Sequence, residues 1–315
     1  MMNPILKRTL CGLGVGALVI GLFLYCPLRA LMPIILVLST FAQLEFYMMA
    51  KKKYEPVTWF GLLMGALWIA SVGYWGFGRG IFVLIACFFP ALLLMLFALC
   101  LYVLFNSRFK NPVGSISVTA LGFLYVPFLL AFFILIAQLT GDGRWGYTSS
   151  GIDKWLSRTG LYTLFALIAI AKFSDTGGFA FGMAFGKHKM CPTISPKKSW
   201  EGLVGSMLFS AVTAAVMLAF ARHFEWGKDI KFWNALTYPV AMGGGAVMAL
   251  VATACDLIES RFKREFDVKD SSCFLPAGMG GLLDMFDSVL FIPALVYPFL
   301  VATSCKVWQS ILNPV

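Results

Sequence analysis

The sequence predicts an all-α polytopic membrane protein of about nine transmembrane helices, with a cytoplasmic-side active site. Three observations carry that reading. Of the 315 residues, 60% are hydrophobic and 13% charged, with a mean hydropathy of +0.83, whereas soluble domains run at about 45–50% apolar and about 25% charged. A water-soluble chain of this length has no interior large enough for that apolar surface, so a soluble enzyme is excluded, and intrinsic disorder falls with it. The apolar residues also come in stretches near the ~20 residues that span a bilayer. Finally, the charges gather between those stretches, unequally on the two sides.

Nine runs are expected, near residues 10–26, 30–50, 57–77, 81–105, 113–138, 159–181, 202–221, 235–257 and 287–305. The first has Lys7 and Arg8 ahead of it, as a signal peptide would. No small-x-small cleavage site follows, and Leu24-Tyr25-Cys26 is a poor lipobox, so it reads as a retained helix. With a cytoplasmic N-terminus and nine spans, fifteen Lys and Arg fall on the cytoplasmic side and nine on the other; Lys172, inside the sixth run, completes the 25. The positive-inside rule favours that orientation, and with it an integral protein of the cytoplasmic (inner) membrane. A net charge of +10 points to anionic headgroups or phosphorylated substrates rather than nucleic acid. The eight cysteines are scattered, without a CxxC, beside only two histidines. They read as small core hydrophobes rather than a zinc site or a disulfide framework.

Acidic residues divide the chain. Residues 1–170 hold only Glu45, Glu55, Asp142 and Asp153, and the other eleven follow, nine of them in or beside the expected cytoplasmic segments. Residues 1–150 are therefore expected to form a transmembrane scaffold and residues 151–315 the catalytic region. A single ionisable residue within a span, such as Glu45 or Lys172, is either functional or snorkelling to the interface.

Three clusters stand out. The first is Ser174-Asp175-Thr176-Gly177-Gly178, running on to Gly186-Lys187-His188-Lys189. Gly178, Gly182 and Gly186 share a helix face suited to close packing, while Asp175 lies near mid-run with polar neighbours. Gly186-Lys187-His188 is no P-loop, because Phe181 stands where the earlier Gly is required. The second is Ser195-Pro196-Lys197-Lys198-Ser199-Trp200-Glu201-Gly202. Ser195 as N-cap and Pro196 at the first helical position signal a helix start. Two lysines in a first turn oppose the helix dipole, unless they and the open N–H groups hold an anion such as phosphate. In the third, Asp256, Glu259, Ser260 and Lys263 stand at i, i+3, i+4 and i+7 on one helix face. Arg264, Lys269 and Asp270 follow, then the turn Pro276-Ala277-Gly278-Met279-Gly280-Gly281, then Asp284, Asp287 and Ser288 at the start of the ninth run. Carboxylates beside cations and pliable backbone suit Mg²⁺ and a polyphosphate.

These residues resemble the CDP-diacylglycerol synthases (phosphatidate cytidylyltransferases), whose signature runs Ser-x-x-Lys-Arg, Lys-Asp, Pro-Gly-His-Gly-Gly and Asp-Arg-x-Asp. The counterparts here are Ser260, Lys263, Arg264, Lys269, Asp270, Pro276, Gly280, Gly281, Asp284 and Asp287, with Asp256-Leu257-Ile258-Glu259 leading in. Phe-Gly-Lys-His-Lys and Ser-Pro-x-Lys-Ser-Trp-Glu-Gly are further matches, within a resemblance covering residues 170–290. The turn is one residue longer, with Met279 in place of His, and Met285 replaces Arg; the carboxylates stand intact, which favours an active, divergent enzyme.

The resemblance implies a Mg²⁺-dependent nucleotidyltransferase of phospholipid biosynthesis, whose partners are CTP, phosphatidate and membrane lipids. It implies Asp256, Asp284, Asp287 and Glu259 around the metal, with a second, monovalent cation left open. Lys263, Arg264 and Lys269 would hold pyrophosphate or the lipid headgroup. Asp175, Lys187, Ser195, Lys198 and Glu201 would complete the nucleotide side, with Ser260, Asp270, Gly280 and Gly281 in the substrate-binding signature. Another CTP-dependent lipid enzyme, such as a polyprenol kinase or CDP-archaeol synthase, stays open, and an ion-coupled transporter is disfavoured because no internal repeat is visible. Homo-oligomerisation through the glycine face also stays open.

Overall fold

A segment that crosses hydrocarbon must satisfy its backbone internally, so apolar runs of this length fold as helices. The computed structural model describes residues 28–75, 89–106, 108–138, 158–223, 233, 236–268, 271 and 281–304. Helices α1 (Leu28–Ala50), α2 (Thr58–Trp75) and α3 (Phe89–Leu104) are followed by α4 (Pro112–Phe123), a π turn over Leu124–Phe128, and α5 (Leu129–Ala137). Then come α6 (Arg158–Phe185), strands β1 (Lys189–Cys191) and β2 (Ser195–Ser199), α7 (Trp200–His223), α8 (Tyr238–Glu265), α9 (Leu282–Phe286) and α10 (Phe291–Ser304). Among the described residues, six helical stretches are long and apolar enough to cross a membrane, and α2 and α3 contribute two shorter apolar helices. The chain is an all-α polytopic membrane protein. The expected first run lies outside the described residues, as do residues 81–88 of the fourth.

The core is built around α4 and α5, the most buried of the spans. Asn111 accepts a hydrogen bond from Gly114 N at 2.9 Å and Pro112 opens the helix, a start in which the missing Pro N–H costs nothing. Pro127 breaks the backbone ladder in mid-span, and the helix widens there into the π turn. Lipid tails offer helices no hydrophobic reason to associate, so packing and polar contacts must do it. Tyr47 of α1 donates to Thr119 O of α4 at 2.7 Å, and Gln43 donates to Gly61 O of α2 at 2.9 Å. Gly61 and Gly122 leave the space that the Tyr47 ring fills.

Helices α6, α7 and α8 pack closely through small residues. A methyl group at Gly177 would lie 2.6 Å from the Gly205 carbonyl oxygen, and one at Gly245 would lie 2.6 Å from that of Ser210. Gly178 sits against Ser206 and Gly202, and Gly182 faces Gly202, so the glycine face expected on α6 is a packing face.

The helix start expected at Ser195 is not observed. Residues Ser195–Ser199 form a strand paired antiparallel with Lys189–Cys191, and α7 begins at Trp200, capped by Ser199 Oγ, which accepts from Gly202 N at 3.2 Å. The hairpin ladder satisfies the backbone that the helix reading assigned to a first turn, so Lys197 and Lys198 extend from a strand. The ninth run, expected from residue 287, becomes helical only at Phe291 and is preceded by the short α9. After α9 the chain turns through residues 287–290 before α10.

The two halves of the chain meet at one end of the bundle. Lys53 and Tyr54, just after α1, contact Glu265 at the end of α8 at 2.7 and 3.1 Å. That hydrogen bond raises the Lys53 ammonium above its ordinary pKa. Phe46 packs edge-on against Phe262 and Phe266 beneath.

Candidate active site

The last turns of α8, the hairpin, the middle of α6 and the segment after α9 converge at this end. On α8 the helical repeat places Asp256, Glu259 and Lys263 on one face. Asp256, Glu259 and Asp287 each offer a carboxylate oxygen, and the three oxygens lie within 4.8 Å of one another. Glu259 has no solvent exposure, and neither of its oxygens has a hydrogen-bond partner among the described residues. A buried carboxylate without a hydrogen bond is expensive, and three converging carboxylates around it fit a hard, oxygen-seeking divalent cation.

Positive side chains flank this group on both sides. Lys198 Nζ, reaching from β2, lies 2.6 Å from Asp256 Oδ2 and donates to Thr253 O at 3.0 Å. Lys263 Nζ lies 3.4 Å from Glu259 Oε1 and 3.1 Å from Asp284 Oδ1. The other Asp284 oxygen accepts from Gly281 N at 2.9 Å, closing the first turn of α9. Asp284 thus joins the carboxylate trio through Lys263.

On the α6 side, Ser288 Oγ donates to Asp175 Oδ2 at 2.9 Å and accepts from Lys172 Nζ at 3.0 Å. Lys172 lies 3.6 Å from Asp175. The hairpin is pinned by Glu201, whose carboxylate accepts from His188 N at 3.2 Å and lies 2.6 Å from His188 Nδ1. That bond holds the base of the strand from which Lys198 extends.

The sequence matches the model of the Cytidylyltransferase family over residues 6–303. The chain belongs to the cytidylyltransferase family. Among curated relatives, the phosphatidate cytidylyltransferase of Staphylococcus saprophyticus is 40% identical over 131 residues, 42% of this chain and 45% of the relative. That of Staphylococcus haemolyticus is 38% identical over the same length and shares. That of Staphylococcus epidermidis is 39% identical over 142 residues, 45% of this chain and 50% of the relative. The chain spans about half the length of the curated relatives it matches.

In this member of the family the structure brings together Asp175, Lys198, Asp256, Glu259, Lys263, Asp284 and Asp287, all singled out in the sequence. Ser195 sits half-buried at the start of β2, Ser260 half-buried on α8, and Lys187 and Arg264 exposed; no contact of these four reaches the carboxylate trio. Lys269, Asp270, Met279 and Gly280 lie outside the described residues. Met285, in place of the family's Arg, lies in α9. Sequence reasoning singled out neither Ser288 as the link between Lys172 and Asp175 nor the His188–Glu201 pin. It also left Glu45 unplaced. That carboxylate accepts from Leu283 N at 2.9 Å, and its one signal in the sequence was an acid inside an apolar run.

Proposed function

We propose that this membrane protein transfers the cytidylyl group of CTP to phosphatidate, giving CDP-diacylglycerol and pyrophosphate. The observation that carries the reading is the trio Asp256, Glu259 and Asp287, with Glu259 buried at its centre and Lys198 and Lys263 flanking it, in a member of a cytidylyltransferase family. The names of the staphylococcal relatives support the same reaction.

In the reaction a phosphate oxygen of phosphatidate attacks the α-phosphorus of CTP. The bond from that phosphorus to the bridging oxygen breaks, and its electron pair leaves with pyrophosphate. Two anions must meet, so the protein must supply positive charge where negative charge develops. Asp256, Glu259 and Asp287 would hold Mg²⁺, with Asp284 adjoining through Lys263. When bound, the ion supplies charge that neutralises phosphate oxygens and favours departure of pyrophosphate. Lys198, on a hairpin pinned by Glu201, presents its ammonium to the nucleotide. Lys263 holds Asp284 and Glu259 in register, and exposed Arg264 stands at the rim for pyrophosphate or the lipid headgroup. Lys172 and Ser288 orient Asp175 beside Asp287. No side-chain nucleophile is required.

The site belongs on the cytoplasmic side of the inner membrane, with the N-terminus also cytoplasmic. CTP then arrives from water while the acyl chains stay in lipid. Residues 1–150 act as scaffold and residues 151–315 carry the chemistry, Glu45 being the scaffold residue that reaches the site.

The test is pyrophosphate release by the purified protein in detergent. Release is expected only with CTP, phosphatidate and Mg²⁺ together, and not with ATP or without lipid. Asp287→Asn, folded as the parent protein, is expected to abolish it. Release that needs a polyprenol in place of phosphatidate, or full activity of Asp287→Asn, would overturn the reading.

A further inference from the structure

Helix α9 is five residues long, too short to hold its own place, because an isolated helix of one turn does not persist in water or at an interface. It nevertheless carries Asp284 and leads directly into Asp287. Something outside it must set its position.

Two carboxyl groups satisfy its first N–H groups. One is local, Asp284 accepting from Gly281 N at 2.9 Å. The other comes from α1, in the opposite half of the sequence, where Glu45 Oε2 accepts from Leu283 N at 2.9 Å. Glu45 is 1% exposed and lies within a span, between helix and core, where a carboxyl group is costly unless it is used. Its neighbours Phe46 and Tyr47 are fully buried, so the backbone that carries it is fixed. The chain is also tight on the far side. A methyl group at Gly281 would lie 2.6 Å from Glu45 Oε2 and 2.8 Å from the Ser271 carbonyl carbon, so α1, Ser271 and the start of α9 close on one another without slack. Glu45 itself is not one of the three converging carboxylates.

We infer that Glu45 is a positioning residue, which docks the start of α9 on the scaffold so that Asp287 meets Asp256 and Glu259. The inference rests on the cation site proposed above. What Glu45 must supply is an acceptor oxygen at a fixed point. Glutamine keeps that oxygen and leucine does not, so the two substitutions separate the hydrogen bond from the volume.

The measurement is Mn²⁺ binding to the full-length protein in detergent, followed by electron paramagnetic resonance without substrate. It therefore reads the site and not turnover. Glu45→Leu is expected to weaken Mn²⁺ binding by about 10-fold or more, the loss typical when a partner that orients a ligand is removed. Glu45→Gln is expected to restore binding to near the parent value. Gly281→Ala, which keeps Glu45 but fills the space between it and Ser271, is expected to weaken binding in the same direction, and it tests the seam even where Glu45→Leu fails to fold. Parent-like Mn²⁺ binding in folded Glu45→Leu or in Gly281→Ala would overturn the inference, as would a loss in Glu45→Gln equal to that in Glu45→Leu. Asp256→Asn and Asp287→Asn serve as the reference. Were both to bind Mn²⁺ as the parent does, the cation site itself would fall, and the inference with it.

Discussion

Replacing Lys263 by Met removes the cation that stands between two acidic side chains. Its Nζ is 3.1 Å from Asp284 Oδ1 and 3.4 Å from Glu259 Oε1, with the side chain 17% exposed and Glu259 wholly enclosed. Removing one partner of a buried pair costs about 3–5 kcal/mol, since the remaining charge stays buried without compensation. Lys263 and Asp284 keep a little solvent contact, so the lower end applies, ~3 kcal/mol. At ~2 °C per kcal/mol for a chain of this size, the unfolding midpoint in metal-free detergent falls by about 6 °C. Two corollaries sharpen the test. A divalent cation at Asp256, Glu259 and Asp287 replaces part of the missing charge, so Mg²⁺ should raise the midpoint of Lys263→Met more than that of the parent. Combining Lys263→Met with Glu259→Gln should recover about half of the loss, because one of the two orphaned acids is gone. Tryptophan fluorescence during heating, in EDTA and in Mg²⁺, reads all three. A midpoint for Lys263→Met within about 1 °C of the parent in EDTA would refute the reasoning, and so would equal Mg²⁺ shifts in both proteins.

Other expectations follow from the same geometry. Asp287→Asn should lose Mn²⁺ binding more completely than Asp284→Asn, since Asp287 belongs to the trio and Asp284 reaches it through Lys263; equal losses in a Mn²⁺ titration would contradict that ranking. Lys198→Met frees Asp256 from an ammonium 2.6 Å away, so Mn²⁺ should bind more tightly without nucleotide while the KM for CTP rises. A fall in nucleotide-free Mn²⁺ affinity would count against it. Gly177→Ala drives a methyl group toward the Gly205 carbonyl oxygen and should cost about 1–3 kcal/mol. Gly243→Ala, which lies inside α8 and meets nothing within 4 Å, should hold or slightly raise the midpoint in heating experiments.

The helices were legible because a bilayer demands length and hydropathy, and both are written locally. The α8 face was legible for a similar reason, because Asp256, Glu259 and Lys263 lie at helical spacing whatever surrounds them. The hairpin was not. Ser195-Pro196 carries a helix-start signal, and only pairing with Lys189–Cys191 overrides it, a contact between strands too short to announce themselves. The break after α9 was hidden too, since Leu282 to Ser304 contains no Gly and its Pro residues come later, at 293 and 298. At that turn Ser288 bridges Lys172 and Asp175 across to α6. Glu45 was visible as an anomaly but not as a contact, because its partner Leu283 is 238 residues away.

That separation also bears on biogenesis. At roughly 5–20 residues per second, the ribosome needs about 10–50 s after finishing α1 before the N–H group that Glu45 accepts from exists. Throughout that interval Glu45 of α1 lacks the Leu283 N–H it will accept from, in surroundings where an acid is disfavoured by up to about 2.5–3.5 kcal/mol. The contact between α1 and α9 therefore forms only once nearly the whole chain has been made. A chain arrested before residue 283 lacks that bond, and with it the seam that docks α9 on the scaffold.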